Sequence, residues 1–221
     1  TFLQMLPSKY DDAEFRKDFY QIAMEETSRI NNLLTELLDL TKTRESHYEA
    51  TDLQALIAGM ILLVSPQTKA KKITVTHQHN DEIGTVWIDS EKIKEVVLNI
   101  LANAVEATPM EGKIDVVVEI RNENGNPPFV RIDIKDNGPG IEGAMCEKIF
   151  DPYFTTKYKS DMHSGTGLGL FIAHQNMVDH GGHIEVSSDL NKGTLFILNL
   201  PYTVDRPDFP ALLLSRPKAE S

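Results

Sequence analysis

The amino-acid sequence predicts an α+β protein, a two-layer α/β sandwich preceded by a partial antiparallel helical hairpin. Three observations support this prediction. Apolar residues recur at helical spacing in a long stretch near the start and again over residues 89–106. Several short segments alternate apolar and polar residues, as half-buried strands do. Helices and mostly antiparallel strands in this order favour one sheet that three helices cover on one face.

Composition and charge narrow the functional classes. The chain has 221 residues, of which 41% are apolar and 25% charged, a typical globular profile. Its net charge of -11 argues against nucleic-acid binding and against a polybasic membrane patch, because both need positive surface. The single cysteine, Cys146, excludes an internal disulfide and a thiolate metal cage.

The sequence shows neither an apolar run of about 18 residues nor a signal peptide. We therefore expect a cytoplasmic chain that itself makes no membrane contact. The chain begins without methionine, so we also expect a piece of a longer protein, and the membrane attachment of that parent is left open.

The first region is predicted to be helical. Residues 1–6 form a short apolar stub, which we expect Pro7 to end. Helical spacing then runs from Asp11 or Asp12 to about Arg44, with acidic residues at its start and basic residues at its end, as the helix dipole favours. A helix of this length with one apolar stripe needs a partner. We expect an antiparallel hairpin that a second copy of the chain completes as a four-helix bundle. A single long helix packed on its own domain is the alternative.

A second region contains the predicted sandwich. Glu45 to Ala50 is polar and reads as a hinge, and Asp52 can cap a helix that ends before Pro66. The later predicted elements, in order, are strands Ile73–His79, Thr85–Ile88, Lys113–Ile120 and Phe129–Lys135, helix Gly167–His180, and hairpin strands His183–Ser188 and Thr194–Leu200. The predicted domains are therefore 1–46, a partial dimerisation hairpin; 47–204, the sandwich; and 205–221, a loosely ordered tail.

The helix over 89–106 has two different stripes. Asp89 and Ser90 are suitable N-cap residues, and Pro109 ends the pattern. One stripe is apolar and the other is polar, with side chains at i, i+4 and i+7: Asn99, Asn103 and Glu106. Asparagine is a mediocre helix former, so two on one stripe need a reason. The polar stripe is either a solvated surface or a row that faces a ligand and offers oxygens to a hard cation.

Two glycine-rich segments carry further chemistry. The segment from Asp136 to Ile141 follows a strand, where glycines let the backbone approach a flat ligand and the carboxylate can accept a hydrogen bond. The segment from Ser164 to Leu170 opens a helix and offers free N–H groups to a phosphate. Taken alone, the first segment is more often a tight turn after a strand than a ligand site, and the second is weak evidence for a phosphate site. Neither is a Rossmann-type or P-loop motif.

Together these segments resemble the catalytic ATP-binding domain of sensor histidine kinases, whose fold is shared with gyrase B and MutL. The similarity covers about residues 50–201 and rests on four ordered motifs and a final adenine-side element. These are an N box at Asn99 to Asn103, a first glycine box at Asp136 to Gly140, an F box at Ile149 to Lys157, a second glycine box at Gly165 to Leu170, and Gly193-Thr194.

The resemblance implies roles for these residues. Asp136 would bind the adenine amino group, and Asn103, helped by Asn99, would coordinate the Mg²⁺ that bridges the phosphates of ATP. Glu106 would polarise the attacking group. The full set of implied nucleotide contacts is Asn103, Asp136, Gly138, Gly140, Ile141, Phe150, Phe154, Thr156, Lys157, Gly165, Thr166, Gly167, Leu168, Gly169, Leu170 and Thr194.

A nucleotide-dependent lid is implied over about residues 141–166. Phe150 and Phe154 would anchor this lid, and the alternative is that both are ordinary core aromatics. Lys157 would reach a phosphate, and the alternative is a solvated charge.

The resemblance also implies a function. The chain would be the kinase portion of a two-component sensor histidine kinase, a homodimer that passes the ATP γ-phosphate to a histidine and then to an aspartate of a response-regulator receiver domain. None of the seven histidines has the acidic, Pro-following context of the acceptor, which we expect upstream of this chain. The fragment is therefore predicted not to autophosphorylate at the usual site.

An ATPase of the gyrase or MutL kind is one alternative function, although its water-activating glutamate would fall where Asn99 stands. A nucleotide-binding or dimerisation module without catalysis is another.

Overall fold

A computed structural model of the protein describes residues 2–24, 27, 46–79, 83–122, 127–155 and 166–202. The chain divides into two compact units, Thr1–Glu45 and Ser46–Ser221. Within the described part of the chain, no helix has both the length and the apolar content needed to cross a membrane.

Helix α1 of the first unit spans Phe2–Lys9 and continues past Pro7, which we predicted to end it. A proline removes one backbone hydrogen bond from a helix. One residue on, the Ser8 hydroxyl donates to the Met5 carbonyl at 3.0 Å, within the last turn of this helix. The predicted stub is thus helical, but the prediction that it ends at Pro7 is wrong.

The second helix, α2, is described over residues 13–24. Asp12 caps it, because its carboxylate accepts the backbone N–H groups of Glu14 at 3.0 Å and Phe15 at 3.2 Å. The Phe15 and Phe19 rings stack on the same side of the helix, with centroids 6.3 Å apart. Apart from residue 27, the predicted continuation from residue 25 to Arg44 falls on residues that the structure does not describe.

In its described residues, the second unit combines seven strands with helices. The strands are β1 Glu49–Asp52, β2 Thr74–His79, β3 Thr85–Ile88, β4 Lys113–Arg121, β5 Phe129–Asp136, β6 His183–Asp189 and β7 Gly193–Pro201. The helices are α3 Leu53–Leu63, α4 Ser65–Ala70, α5 Ser90–Ala107, α6 Gly143–Cys146 and α7 Gly169–Asp179, and one 3-10 turn spans Lys148–Phe150. The main sheet has the order β2-β4-β5-β7-β6, with β2 parallel to β4 and the other neighbours antiparallel. The predicted α+β sandwich is confirmed.

One predicted hinge is a strand instead. Glu49–Asp52 forms β1 and pairs antiparallel with β3, so these two strands make a separate small sheet. The hydroxyl of Ser90 donates to the Glu49 carboxylate at 2.5 Å, which holds β1 to the start of α5. The polar composition of β1 suggested a hinge, because the pairing of a short exposed strand leaves no apolar period in the sequence.

The core lies between the main sheet and helices α3, α5 and α7. One face of β4 and β5 carries fully buried apolar side chains, among them Val116 and Ile132. The predicted apolar stripe of α5 packs on that face, with Val97 and Ile100 wholly inaccessible to solvent. This packing leaves the polar stripe of α5 directed away from the sheet, and it fixes where the candidate site lies.

Candidate functional site

Asp136 is the buried acceptor of the site. It ends β5 with 3% of its surface exposed. Its Oδ1 atom accepts the backbone N–H of Gly138 at 2.8 Å and that of Thr194 at 3.3 Å. Burial raises the pKa of this carboxyl, and the two N–H donors lower it. Within the described part of the chain no donor is directed at Oδ2, so this oxygen can accept an amino group of a ligand.

The backbone around Asp136 is packed so closely that only glycine fits. A Cβ added at Gly138 would lie 2.8 Å from the Ala107 carbonyl oxygen, and one at Gly193 would lie 2.0 Å from the Asp136 carbonyl oxygen. These approaches bring the end of α5 and the start of β7 against the carboxyl end of β5. The first glycine box therefore forms a narrow corner beside Asp136 at one end of the site.

Ser188 belongs to this corner, although we did not predict it. Its hydroxyl donates to the Gly193 carbonyl at 2.9 Å, lies 3.0 Å from the Thr194 hydroxyl, and accepts the Ile141 N–H at 2.8 Å. Ser188 is paired with Thr194 across the β6–β7 hairpin. The predicted hairpin already has Ser188 as the last residue of its first strand and Thr194 as the first residue of its second, so pairing the two strands outward from the turn would have placed these hydroxyls side by side.

The polar stripe of α5 runs along the same site. Asn99 and Asn103 are half-buried and Glu106 is exposed. Asn99 faces the start of α7, because a Cβ added at Gly169 would lie 3.0 Å from the Asn99 Oδ1 atom. From Asn99 to Ala107 the helix advances eight residues, or about 12 Å. This half of α5 therefore connects the glycine corner at Gly138 to the start of α7.

The start of α7 is suited to bind an anion. Leu168 holds the N-cap position without a side-chain cap, so the N–H groups of the first turn are not satisfied by a capping side chain. The partial positive charge of a helix N-terminus adds to their attraction for phosphate. The Thr166 hydroxyl accepts the Leu168 N–H at 3.3 Å, which shapes the entry to the helix. Leu170 packs partly against the core behind this turn.

The two F-box aromatics pack at the base of the predicted lid. Phe150 and Phe154 are both partly buried against the core. The Phe150 ring lies 5.4 Å from the His174 ring on α7, and the Tyr153 N–H donates to the Gly167 carbonyl at 3.0 Å. These contacts join the F box to α7 and suit both a lid anchor and a core aromatic. Three predicted contacts lie outside the described residues: Thr156, Lys157 and Gly165.

The donor set near α5 suits Mg²⁺. Within the described ranges, no group of three or more His, Cys, Asp or Glu side chains could hold a metal ion. The oxygens offered are the amide oxygens of Asn99, which lies against Gly169 at the start of α7, and of Asn103, about one turn further along α5. A hard cation that retains several waters and shares phosphate oxygens needs only one or two protein ligands, so this set fits it.

The chain is similar to proteins of one family in both sequence and structure. The family described as histidine kinase-, DNA gyrase B- and HSP90-like ATPase matches residues 88–204. The sensor histidine kinase ZraS of Escherichia coli (strain K12) is 36% identical over 188 residues, which cover 85% of this chain and 38% of that protein. The chain thus spans well under half the length of this relative.

Two solved structures extend the similarity to the fold. The catalytic domain of histidine kinase ThkA has a TM-score of 0.61 and 32% identity, and the match covers 71% of this chain and 97% of that one. Histidine kinase ThkA in complex with response regulator protein TrrA has a TM-score of 0.73 and 29% identity, and the match covers 91% of this chain and 56% of that one.

Proposed function

Because this chain belongs to the histidine kinase-, DNA gyrase B- and HSP90-like ATPase family, we propose that it is the kinase portion of a two-component sensor histidine kinase. It transfers the γ-phosphate of ATP to a histidine on a separate helical segment, and the phosphate then passes to an aspartate of a response regulator. The kinase works as a homodimer through its helical hairpin, in the cytoplasm. The likeness to ThkA bound to the response regulator TrrA supports a receiver-domain partner.

One spatial relationship supports this proposal best. The C-terminal half of α5 bridges the Gly138 corner and the start of α7, about 12 Å apart along the helix. An acceptor for an adenine amino group thus stands at one end and an anion-binding helix start at the other. An extended nucleoside triphosphate offers the complementary groups in the same order.

Different residues of the site bind different parts of ATP. Asp136 accepts the adenine amino group through Oδ2, and Ser188 and Thr194 hold the surrounding backbone in place. The uncapped N–H groups at Gly169 and Leu170 bind phosphate oxygens. Phosphoryl transfer then depends chiefly on positioning and on neutralising charge, because the protein supplies little covalent chemistry.

Asn103 is the residue that we propose as the principal metal ligand, with Asn99 beside it. Bound Mg²⁺ neutralises the phosphate charge and orients the transferred group. Glu106 is exposed at the far end of the stripe, and we propose that it polarises the attacking group. Phe150 and Phe154 anchor the lid through their contacts with the core.

We propose further that this chain does not phosphorylate itself at the usual position. The described histidines lie on the linker, on β2, on α7 and on β6, and none has the acidic, Pro-following context of an acceptor: His47, His77, His79, His174, His180 and His183. His163, which falls within the predicted lid and outside the described residues, lacks that sequence context as well.

Incubation with γ-labelled ATP, Mg²⁺ and a separate domain that carries an acceptor helix tests the proposal. Label on the added domain, and none on the chain itself, is the expected result. Steady phosphate release without transfer would instead indicate an ATPase of the gyrase or MutL kind. Nucleotide binding with neither reaction would indicate a binding module. Label on any of the chain's own histidines would overturn the expectation that it cannot autophosphorylate.

A further inference from the structure

The segment Ser46–Tyr48 lies on the surface of its own unit, where the start of α5 meets the end of α7. The backbone N–H of His47 donates to the Asp89 Oδ2 atom at 2.9 Å. The Tyr48 hydroxyl donates to the Asp179 carbonyl at 3.0 Å. The Ser46 hydroxyl accepts from the Lys92 ammonium at 2.9 Å. Each residue of the segment therefore has a specific partner on one of the two helices. We call the surface formed by Asp89, Lys92, Asp179 and His180 the linker seam.

Asp89 and His180 form the centre of the linker seam. Asp89 is 7% exposed, and its Oδ1 atom caps α5 by accepting the Lys92 N–H at 3.2 Å. The Asp89 N–H in turn donates to the His180 Nε2 atom at 3.0 Å. The His180 Nδ1 atom lies 2.6 Å from the Asn176 carbonyl oxygen. Both ring nitrogens are therefore satisfied by the neutral imidazole with its proton on Nδ1.

Charged and aromatic groups complete the seam around the imidazole. The Lys92 ammonium lies 2.8 Å from the Asp179 carboxylate, which ties α5 to α7 directly. The Tyr48 ring lies 5.1 Å from the His180 ring. The groups that face His180 are thus two carboxylates, one ammonium and one phenol, and the linker contributes only the phenol.

The opposite ends of the same two helices build the candidate site. Asn99 of α5 lies against Gly169 at the start of α7. Between the two ends, the Asn176 side chain donates to the Glu95 carboxylate at 3.0 Å. Helix α7 has eleven residues, so the seam and the phosphate end are separated by about 16 Å of continuous helix. A ligand that restrains α7 against α5 at one end therefore restrains the seam at the other.

We propose that the linker seam is a docking site for Ser46–Tyr48, and that docking of this segment and nucleotide binding strengthen each other. The coupling half of this inference rests on the proposed nucleotide site. Its physical basis is that a helix pair already ordered by one ligand loses less conformational entropy when it binds the other. Because such coupling is reciprocal, releasing the segment must weaken nucleotide affinity by the same factor by which the nucleotide strengthens docking.

Amide hydrogen exchange at His47 measures docking, since this amide donates directly to Asp89. We expect a non-hydrolysable ATP analogue with Mg²⁺ to slow this exchange by about fivefold or more, and Tyr48→Ala to weaken analogue affinity by a matching factor. Tyr48→Phe removes the hydroxyl, with its bonds to the Asp179 carbonyl and to the Ser46 side chain, but keeps the ring, so it should show a smaller effect of the same sign. Tyr202→Phe is the matched control, because its hydroxyl makes the same kind of bond, to the Ile83 carbonyl, outside the seam.

The outcomes separate this inference from the proposed function. Analogue binding with unchanged exchange at His47, or with equal affinity in the Tyr48→Ala protein, would overturn the coupling and leave the nucleotide site standing. Failure of the unaltered protein to bind the analogue would overturn the proposed function and the coupling with it. Equal His47 exchange in the free unaltered and Tyr48→Ala proteins would overturn docking itself.

Discussion

Asn99 and Gly169 lie so close that a single added carbon at Gly169 would come within 3.0 Å of the Asn99 Oδ1 atom. The two residues are 70 positions apart in the sequence, on helices that meet only in the folded chain. Their contact brings the amide stripe of α5 to the uncapped start of α7. Both of the groups proposed to hold the phosphates thus depend on one close helix–helix approach.

The first prediction concerns Gly169→Ala. The new methyl group must displace the Asn99 side chain and narrow the phosphate end, so we expect nucleotide affinity to fall about tenfold. Titration calorimetry with ATP and Mg²⁺ measures this change. Gly59→Ala on α3 is the control, since apart from the neighbouring backbone of its own helix no atom lies within 4 Å of the added carbon. This control should bind normally and gain about 0.5–1 kcal/mol in free energy of unfolding. Equal affinities for the two variants would contradict the proposed phosphate end.

The second prediction concerns Asp136→Asn. Loss of the carboxylate acceptor should weaken ATP binding about 10- to 100-fold, which is the range for a hydrogen bond to a charged group. Because burial raises the pKa of Asp136, binding should be complete above that raised pKa and should be lost as pH falls through it, at a higher pH than an ordinary aspartate would give.

Asp133→Asn is the control for this experiment. Asp133 lies on the same strand but on the open face of the sheet, where it pairs with Arg131 at 2.8 Å. Its substitution should leave ATP affinity and the pH profile unchanged. Unaltered ATP binding by the Asp136→Asn protein would refute the proposed adenine contact.

The third prediction concerns Asn103. Both Asn103→Ala and Asn103→Asp should reduce transfer to an added acceptor domain by about 100-fold or more, because the proposed metal ligand is lost or altered. The fold should persist, since the side chain is half-buried and lies outside the apolar stripe. Glu106→Gln should have a smaller effect. An Asn103 variant with full transfer and an unchanged dependence on Mg²⁺ would refute the assignment.

The fourth prediction concerns the stability of α5. The Lys71 ammonium donates to the carbonyls of Val105 at 2.9 Å, Glu106 at 2.8 Å and Thr108 at 3.1 Å, so it caps the negative end of the helix dipole. Lys71→Met should lower the free energy of unfolding by about 1–2 kcal/mol. Lys72→Met is the neighbouring control, because Lys72 makes an exposed ion pair with Glu111 at 3.3 Å. Thermal unfolding of both variants and of the unaltered protein measures the two losses of stability. Equal losses in the two variants would argue against the cap.

The fifth prediction concerns the titration of His180. Burial lowers the pKa of this imidazole below its ordinary value. The stabilisation from its neutral form is therefore present above the unfolded pKa of about 6.5 and is lost as pH falls through the lower folded pKa. NMR titration of the ring should show this lowered pKa and a proton on Nδ1 at neutral pH. A proton on Nε2, or a pKa at or above the ordinary value, would contradict the hydrogen bonds to Asp89 and Asn176.

Local patterns in the sequence predicted most single elements. Asp89 caps α5 as predicted, with its carboxylate accepting the Lys92 N–H, and the two hairpin strands after Gly182 form where alternation placed them. Short-range chemistry decides these features, because caps and strand faces depend on residues a few positions apart. Reliance on short-range patterns also explains two wrong predictions, the end of α1 at Pro7 and the hinge where β1 forms. The continuation of α1 past Pro7 and the pairing of Glu49–Asp52 leave no local apolar period in the sequence.

The sequence alone predicted which residues would carry the proposed chemistry: the amide stripe of α5, the carboxylate of Asp136 and the glycines of the two glycine-rich segments. It did so because each side-chain type limits what that position can donate, accept or accommodate. Only the tertiary structure showed which other residues hold these predicted residues and their helices in place. Examples are the Ser188 hydroxyl beside that of Thr194, the Lys71 ammonium at the end of α5, and the His180 ring bonded to the Asp89 N–H. The Lys71 and His180 contacts join positions 34 and 91 residues apart and arise from helix and sheet packing. Apolar periodicity along the chain cannot predict such contacts, because it depends only on residues a few positions apart.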